Sequence, residues 1–320
     1  MIRFLTTRLA GAGVTILVKS FIIFALIGLM PGDPLDMLSQ ANPEATPEQI
    51  ATLRQIYGVD QPIGERYWTW LTQALHGDFG FSRLQHRPVF GIILDALGNT
   101  LVLMGIAFAI STVIAILLGT IAATRRGSLI DRLINLLAYT GISVPSFWLA
   151  LVLIYIFAVR LGWLPAGGTP QPGDGLHIWT THLILPVAAL VMVEIGGLTR
   201  YTRAAMIEVL GQDYIRTARA KGITQNRMLL RHALRNGMIP VVTIIALGFG
   251  HLFSGALLIE NIFAWRGMGR LILEAIMGND YNLALVCLLF TTAMILLANI
   301  LADLAYTWLD PRIALGGRRK

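Results

Sequence analysis

The sequence predicts an all-α protein that crosses a membrane six times. Hydrophobic residues make up 55% of the chain and charged residues only 13%, whereas soluble domains carry roughly 45–50% apolar and about 25% charged residues. Six apolar runs are also candidates to cross a lipid bilayer, whose hydrocarbon core requires about 20 helical residues. The runs are Leu9–Met30, Leu101–Ala123, Leu133–Val159, Leu183–Leu198, Ile239–Ile259 and Leu283–Leu309.

Two prolines and one lysine interrupt these runs. Pro145 in the third run and Pro186 near the start of the fourth predict kinks or local breaks, because proline lacks the amide hydrogen that a helix interior uses. The fourth run is long enough to cross only if its helix continues into Thr199–Arg203. Lys19 lies within the first run, where a charge is costly in lipid. It either extends to the membrane interface or pairs with a carboxylate of a neighbouring helix.

Lysine and arginine set the predicted orientation. If the N-terminus lies inside, the inner side carries more than twice as many of these residues as the outer side. Cytoplasmic loops of multi-pass membrane proteins carry this excess, so both termini are predicted to face the cytoplasm. The first run exceeds the usual apolar stretch of a signal peptide, and we expect it to be retained as a span.

The outer segment Pro31–Leu97 is large enough for structure of its own. Thr46–Gln49 forms a capping-box arrangement that predicts a helix to about Tyr57. A second, amphipathic helix is predicted over Ile63–His76. Its aromatic residues are typical of an interfacial belt more than of a ligand cage; they are Tyr67, Trp68 and Trp70.

The longest polar interval in the second half of the chain is Gln212–Pro240. Asp213 is a suitable N-cap for a helix over Tyr214–Lys221, which Gly222 would close in the C′ position. Thr224 is a suitable N-cap for a second helix over Gln225–Asn236. We refer to this pair of predicted helices as the 213–236 segment.

The two predicted helices differ in character. On the second helix, three arginines follow one another at intervals of four residues and form a basic stripe: Arg227, Arg231 and Arg235. Leu230 and Leu234 form an apolar stripe beside it. The first helix exposes the small side chains of Thr217, Ala218 and Ala220. A helix of small residues that ends in glycine can enter a socket on another protein. The alternative is a cytoplasmic loop that rests on anionic lipid.

The sequence lacks the common patterns of catalysis and of metal binding. It contains no phosphate-binding Gly-x-x-x-x-Gly-Lys loop, no His-Glu-x-x-His and no Cys-x-x-Cys pattern. Its six histidines are scattered, and its single cysteine, Cys287, lies in an apolar run and is expected to pack or to face lipid. We therefore expect no enzymatic activity, no metal site and no cofactor in this chain.

Polar residues inside the runs are candidates for a translocation path, because lipid makes each one costly. Ser111, Thr112 and Asn299 are expected to form hydrogen bonds between helices, whereas Glu194 would line a water-filled path or form a buried pair. Asn299 and Asp303 share one helix face, and Glu260 ends the fifth run. The predicted path residues are Asn99, Ser143, Glu194, His251, Asn299 and Asp303.

Short motifs occur in a characteristic order along nearly the whole chain: Pro31–Pro34, Gly77–Gly80, Pro145–Ala150, Leu161–Pro165, Arg216–Gly222, Ile262–Trp265 and Asp310–Arg312. In these motifs the chain resembles permease subunits of binding-protein-dependent ABC importers of the peptide/nickel branch. Arg216 and Thr217 replace the acidic residue and first alanine of that family's generic motif. Arg266 and Asn282 stand where these proteins have proline.

The resemblance implies a role for the 213–236 segment. In that family the loop is the coupling loop, which docks into an ATPase subunit. The residues implied for this contact are Tyr214, Arg216, Thr217, Ala218, Arg219, Ala220, Lys221, Gly222, Arg227 and Arg231. ATP and Mg²⁺ would then bind to two partner ATPase subunits. The resemblance also implies a second, similar permease subunit, a periplasmic or lipid-anchored binding protein that docks on the first outer segment, and a bacterial inner membrane.

The resemblance implies three regions: residues 1–97 with the first span and the periplasmic helices, 98–310 with a five-helix permease core, and the basic cytoplasmic tail 311–320. Relatives of this type carry di- and oligopeptides, glutathione-like tripeptides or nickel chelates, and the sequence does not distinguish these cargoes. Intramembrane Glu194, Asp303 and His251 also fit an ion-coupled secondary transporter. The absence of an obvious inverted repeat of broken helices weighs against this alternative.

Overall fold

The computed structural model describes residues 2–28 and 61–309, with side chains except at 2–5, 246, 247, 249–255 and 305–309. The predicted helix that begins near Thr46, the Pro31–Pro34 motif and the basic tail lie outside the described residues.

The described residues are helical almost throughout. The α-helices are α1 (Ile2–Gly28), α2 (Ile63–Leu75), α3 (Val89–Thr124), α4 (Leu129–Ser143), α5 (Ser146–Leu153), α6 (Leu176–Leu210), α7 (Asp213–Ala220), α8 (Gln225–Met228), α9 (Leu234–Ile262), α10 (Met268–Met277) and α11 (Tyr281–Leu309). Two π-helical stretches, Ile154–Arg160 and Leu229–Ala233, continue α5 and α8. Over the described ranges, strand-like pairing is limited to one isolated bridge between Phe81 and Pro88, which confirms the all-α class.

Within the described residues, four helices are long and apolar enough to cross a membrane. They are Thr6–Gly28 within α1, Val89–Thr124, Leu176–Leu210 and Tyr281–Leu304 within α11. The pair Leu129–Ser143 and Ser146–Arg160 gives a fifth span if it crosses as one unit. The predicted fifth run lies on α9, where several side chains are not described, so the count of six spans stays a prediction.

Pro145 breaks the third predicted span, as expected. The chain turns by 103° between α4 and the stretch that follows it. Pro145 itself is extended, with φ −61° and ψ 134°, and it is the N-cap of α5. Proline suits the start of a helix because the first amides have no partner within the helix.

Pro186 does not break the fourth span, so of the two predicted outcomes the local break is wrong and the kink stays a prediction. α6 is α-helical from Leu176 to Leu210, and Pro186 lies buried inside it. Its neighbours Leu185 and Val187 belong to a buried apolar cluster. Packing on both sides of the proline holds the helix together despite one lost hydrogen bond. α6 also includes Thr199–Arg203, the extension that the fourth run required.

The chain forms two compact units. The first comprises the described parts of Asp95–Leu271 and Met294–Lys320. In it α6 packs against α9, α4 and α5, around a core that includes Leu103, Leu185, Ile259 and Trp265. Small residues allow a close approach between α4 and α6, because a Cβ at Gly196 would collide with the carbonyl oxygen of Ala138.

The second unit comprises the described parts of Ile2–Leu94 and Ile272–Ala293. In it α1 packs against α2, where the hydroxyls of Ser20 and Tyr67 lie 2.7 Å apart and Phe24 contacts the rings of Tyr67 and Trp70. Of the three aromatic residues predicted for the interfacial belt, only Trp68 is largely exposed. The other two hold α2 to α1, because their rings pack against the α1 aromatics, and the interfacial belt stays a prediction.

Three further predicted features lie in this unit. Lys19 is exposed, and no carboxylate of the described residues pairs with it, so its extension to the membrane interface stays a prediction. Cys287 is buried and carries no disulfide, so it packs in the interior. Gly77 and Gly80 form the expected turns, with φ of +87° and +72°, and Phe79 between them accepts a hydrogen bond from the Asn282 amide at 2.8 Å.

Candidate functional site

The 213–236 segment folds as two helical stretches joined at a glycine. α7 spans Asp213–Ala220, and Gly222 follows with φ +75°, a left-handed conformation that glycine adopts without strain. The expectation that Asp213 caps this helix is wrong. Gln212 occupies the N-cap position without a side-chain cap hydrogen bond, and Asp213 is the first helical residue. Its carboxylate lies in the first turn, where negative charge is favourable.

α7 rests on a small apolar cluster. Ile215 and Ala218 are buried there with Met206 of α6, Ala123 of α3 and Met228 of α8. Ala218 is only 7% exposed, so the prediction that it faces outward is wrong. A helix with apolar residues at i and i+3 turns that face to the core, and Ala218 follows Ile215 by three positions.

The second helix departs further from the prediction. It does not end at Asn236 but continues through the π-helical stretch Leu229–Ala233 and through Pro240 as α9. A π-helix adds residues to a turn and thereby rotates the following face. The buried positions are accordingly Met228 and Ala233, five apart, whereas Leu230 is 66% exposed. The predicted apolar stripe therefore does not form.

The outward face of the segment is basic. Arg216, Arg219, Lys221, Arg227, Arg231 and Arg235 are all exposed. The ion pair between Arg216 and Asp213 is 3.4 Å long, with both side chains largely in solvent, and such pairs contribute little. Thr217 and Ala220 are also exposed, and the Asn236 amide donates to the Tyr214 hydroxyl at 3.1 Å, which ties the two helical stretches together.

A largely buried ion pair connects α6, near its C-terminal end, to α4. Arg203 donates to both carboxylate oxygens of Asp131, through Nε at 2.7 Å and Nη2 at 2.9 Å. Asp131 also accepts from the Gly127 amide at 2.9 Å and from the Asn135 amide at 2.8 Å. Ser128 caps α4 by accepting from the Asp131 amide. The sequence does not predict this pair, because Asp131 and Arg203 lie 72 positions apart.

Among the predicted path residues, the side chains of Asn99 and Ser143 make hydrogen bonds to backbone carbonyls. Asn99 donates to the Arg266 carbonyl at 2.9 Å, and the exposed Ser143 donates to the Tyr139 carbonyl within its own helix. Glu194 and Asp303 are half-buried, each with an interaction partner, and Asn299 is exposed. His251 lies on α9 but its side chain is not described. The translocation path stays a prediction.

The expected hydrogen bonds between helices are also not found for two residues. Ser111 donates to the Phe108 carbonyl of its own helix at 3.1 Å, because a serine hydroxyl can reach the carbonyl one turn back. The buried hydroxyl of Thr112 has no hydrogen-bond partner among the described residues.

Glu260, near the C-terminal end of α9, anchors a second network. It is fully buried. Its carboxylate accepts from the Thr100 hydroxyl at 2.6 Å and from the Gly269 amide at 2.7 Å, while the Met268 amide donates to the Thr100 oxygen at 2.8 Å. The charge thus sits at the start of α10, where the helix dipole favours it. The sequence places Glu260 at the end of the fifth run but does not predict its partner Thr100, because the two are 160 positions apart.

Two family profiles match the chain. Residues 1–104 match the N-terminal membrane component of binding-protein-dependent transport systems, and residues 115–315 match the family described as "Binding-protein-dependent transport system inner membrane component". The second match covers more than half of the sequence.

The chain belongs to this family of membrane transport components.

Full-length relatives support the assignment. A protein of Brucella suis biovar 1 (strain 1330) that is named as a peptide permease is 40% identical over 317 residues, covering 98% of this chain and 99% of the relative. The oligopeptide transport system permease protein AppB of Bacillus subtilis strain 168 is 37% identical over 304 residues, covering 94% of both chains.

The fold is also that of a known transporter subunit. A chain of the MetNI methionine ABC transporter, solved in an inward-facing conformation, is similar with a TM-score of 0.57 and 16% identity over 68% of this chain and 96% of that chain. The family and the fold identify this member as a multi-pass membrane permease subunit and not an enzyme. It works with ATP-hydrolysing and other subunits of an ABC transporter.

Proposed function

We propose that this chain is a transmembrane subunit of an ATP-driven importer for di- or oligopeptides and forms half of its translocation pathway. The observation that carries the proposal is the match, over 94% or more of the chain, to proteins named as peptide and oligopeptide permeases. The second half would come from a similar but distinct permease. Two ATPase subunits and an external binding protein would complete the importer.

The packing of the 213–236 segment supports a mechanical role. α7 presents exposed basic and small side chains on one face and packs Ile215 and Ala218 against α3 and α6 on the other. Force applied to α7 would therefore move the ends of two long helices, and the Asp131–Arg203 ion pair would extend this movement to α4. ATP binding would close the partner subunits, pull this segment and convert the permease between inward- and outward-facing states.

The proposed location is a bacterial inner membrane, with both termini and the 213–236 segment in the cytoplasm. The excess of lysine and arginine on that side supports this orientation. The binding protein would dock on the outer surface, at the first outer segment.

The cargo is the property in which relatives of this kind differ most. Within the described ranges no cluster of three or more histidine, cysteine, aspartate or glutamate residues could hold a metal ion. This finding favours a peptide over direct metal handling. A nickel chelate or a glutathione-like tripeptide would still pass without such a cluster, so the bound molecule must be identified directly.

The test is uptake of a radiolabelled dipeptide by proteoliposomes that contain the complete importer. Replacement of Arg216 and Arg219 by glutamate should reduce ATP-driven uptake at least about tenfold, because like charges across an interface cost several kcal/mol and 1.4 kcal/mol is a factor of ten. Arg126→Glu, at an exposed arginine after α3, is the matched control and should retain uptake.

Uptake that proceeds on an ion gradient without ATPase subunits would refute the proposed mechanism. Mass spectrometry of the molecule that co-purifies with the binding protein tests the cargo separately. A peptide supports the proposal, and a metal chelate would contradict it.

A further inference from the structure

A polar cleft lies between α4 and α6. The two helices touch where Gly196 meets the Ala138 carbonyl and where Gly141 faces the Met192 carbonyl, which would lie 2.7 Å from an added Cβ. Toward the end of α6 they are joined again by the ion pair of Asp131 with Arg203. The cleft opens between these two contacts and has a volume of about 380 Å³, within the range of roughly 300–1,000 Å³ for small-ligand sites.

The cleft carries a positive charge that no carboxylate of the described residues neutralises. It is lined by Asn135, Tyr139, Gly197, Arg200, Tyr201 and Arg203. Arg203 is paired with Asp131, but Arg200 has no carboxylate partner recorded in the described part of the chain. Its guanidinium carbon lies 4.4 Å from the centre of the Tyr139 ring. A guanidinium that stacks by its face keeps N–H groups at its edge for a planar or tetrahedral anion.

The position of the cleft indicates the kind of anion. Arg200 lies ten residues before the end of α6 at Leu210, or about 15 Å along the helix axis, on the side where the chain leaves the apolar region for the basic 213–236 segment. Two exposed tyrosines flank it, and tyrosine is enriched at the membrane–water interface. Leu133, Leu136 and Leu137 of α4 are each at least half exposed and offer an apolar surface to acyl chains.

We infer that this cleft binds the phosphate headgroup of an anionic phospholipid, with Arg200 as its main ligand. Basic pockets between transmembrane helices at the cytoplasmic surface bind such headgroups, and a charge-assisted contact from arginine to phosphate is a strong interaction. The site would attach lipid to the junction of α4 and α6, beside the ion pair that connects them. The inference rests on the membrane location that the family establishes and on the cytoplasmic position proposed above for the 213–236 segment. It is independent of the peptide cargo.

The test compares the lipid that the unaltered protein retains with the lipid that its variants retain. Each full-length chain is purified with its accompanying subunits from nanodiscs that contain phosphatidylglycerol and phosphatidylcholine. Native mass spectrometry counts the bound lipids. Arg200→Gln should lower retained phosphatidylglycerol about tenfold and leave phosphatidylcholine unchanged. Arg126→Gln removes an equal charge from an exposed position outside the cleft and should retain the lipid, as should Tyr139→Phe, which keeps the ring.

Four results would overturn the inference. The first two concern the lipid: Arg200→Gln retains as much phosphatidylglycerol as the unaltered protein, or Arg126→Gln loses as much phosphatidylglycerol as Arg200→Gln. The other two concern a different occupant: inorganic phosphate binds in a manner that needs Arg200 and excludes the lipid, or Tyr201→Cys forms a cross-link to a second permease subunit that covers the cleft. Arg200 is exposed, so the thermal stability of Arg200→Gln in lipid-free detergent should equal that of the unaltered protein. This comparison separates loss of the site from loss of the fold.

Discussion

The ion pair between Asp131 and Arg203 gives the sharpest prediction of stability. Asp131 is almost fully buried, and its carboxylate accepts from Arg203, Gly127 and Asn135. Asp131→Asn keeps the size of the side chain but removes the charge and turns one acceptor into a donor. Loss of one partner of a buried pair costs about 3–5 kcal/mol. The Arg203 side chain is 25% exposed, so water partly solvates it, and we expect about 2–3 kcal/mol.

Asp213→Asn is the matched control, because it makes the same chemical change at an exposed pair whose atoms are 3.4 Å apart. An exposed pair contributes about 0–1 kcal/mol. The free energy of unfolding of the purified protein, measured in mixed detergent micelles, should fall for Asp131→Asn and stay within about 0.5 kcal/mol for Asp213→Asn. A double-mutant cycle with Arg203→Gln should give a coupling energy near 2 kcal/mol. Equal effects of the two aspartate variants would refute the reasoning.

Three further predictions follow from the packing. Met228→Ser should destabilise the protein by about 2–4 kcal/mol, while Leu230→Ser should have almost no effect on thermal unfolding; the reverse order would contradict the π-helical register. Glu260→Ala should lower the free energy of unfolding by roughly 3 kcal/mol or more, since it leaves buried donors without an acceptor, and Glu260→Gln should lower it less. Equal melting temperatures of the two variants would count against the network. Gly196→Ala should lower the free energy of unfolding by about 1–3 kcal/mol, because the added methyl group collides with Ala138. Gly197→Ala should be tolerated, because nothing lies within 4 Å of an added Cβ there. Similar expression and stability of the two variants would disprove the close contact.

Much of the architecture could be predicted because it depends on local patterns. Apolar runs located the long helices, and Gly222 marked the turn in the 213–236 segment, since a left-handed residue after a helix favours glycine. Pro145 marked the break between α4 and α5. The family resemblance came from short motifs that also depend on turns and caps.

What could not be predicted depends on contacts between distant residues. Nothing local to Leu230 reveals the π-helical stretch that turns it outward, and nothing local to Pro186 reveals the packing that keeps α6 intact. The partners of Asp131 and Glu260 lie 72 and 160 positions away. The translocation path is the hardest case, because a path between two permease subunits requires the partner as well.

Disulfide cross-linking of the 213–236 segment to an ATPase subunit tests the central claim most directly. Cysteine would be introduced at Thr217 or Ala220, which are exposed on α7, in a chain whose only cysteine, Cys287, is replaced by alanine. Arg126→Cys provides an exposed control position. The account predicts a cross-link from α7 to the ATPase subunit, formed to an extent that changes with ATP, and none from position 126. No cross-link from either α7 position, or labelling of both from outside the cell, would contradict it.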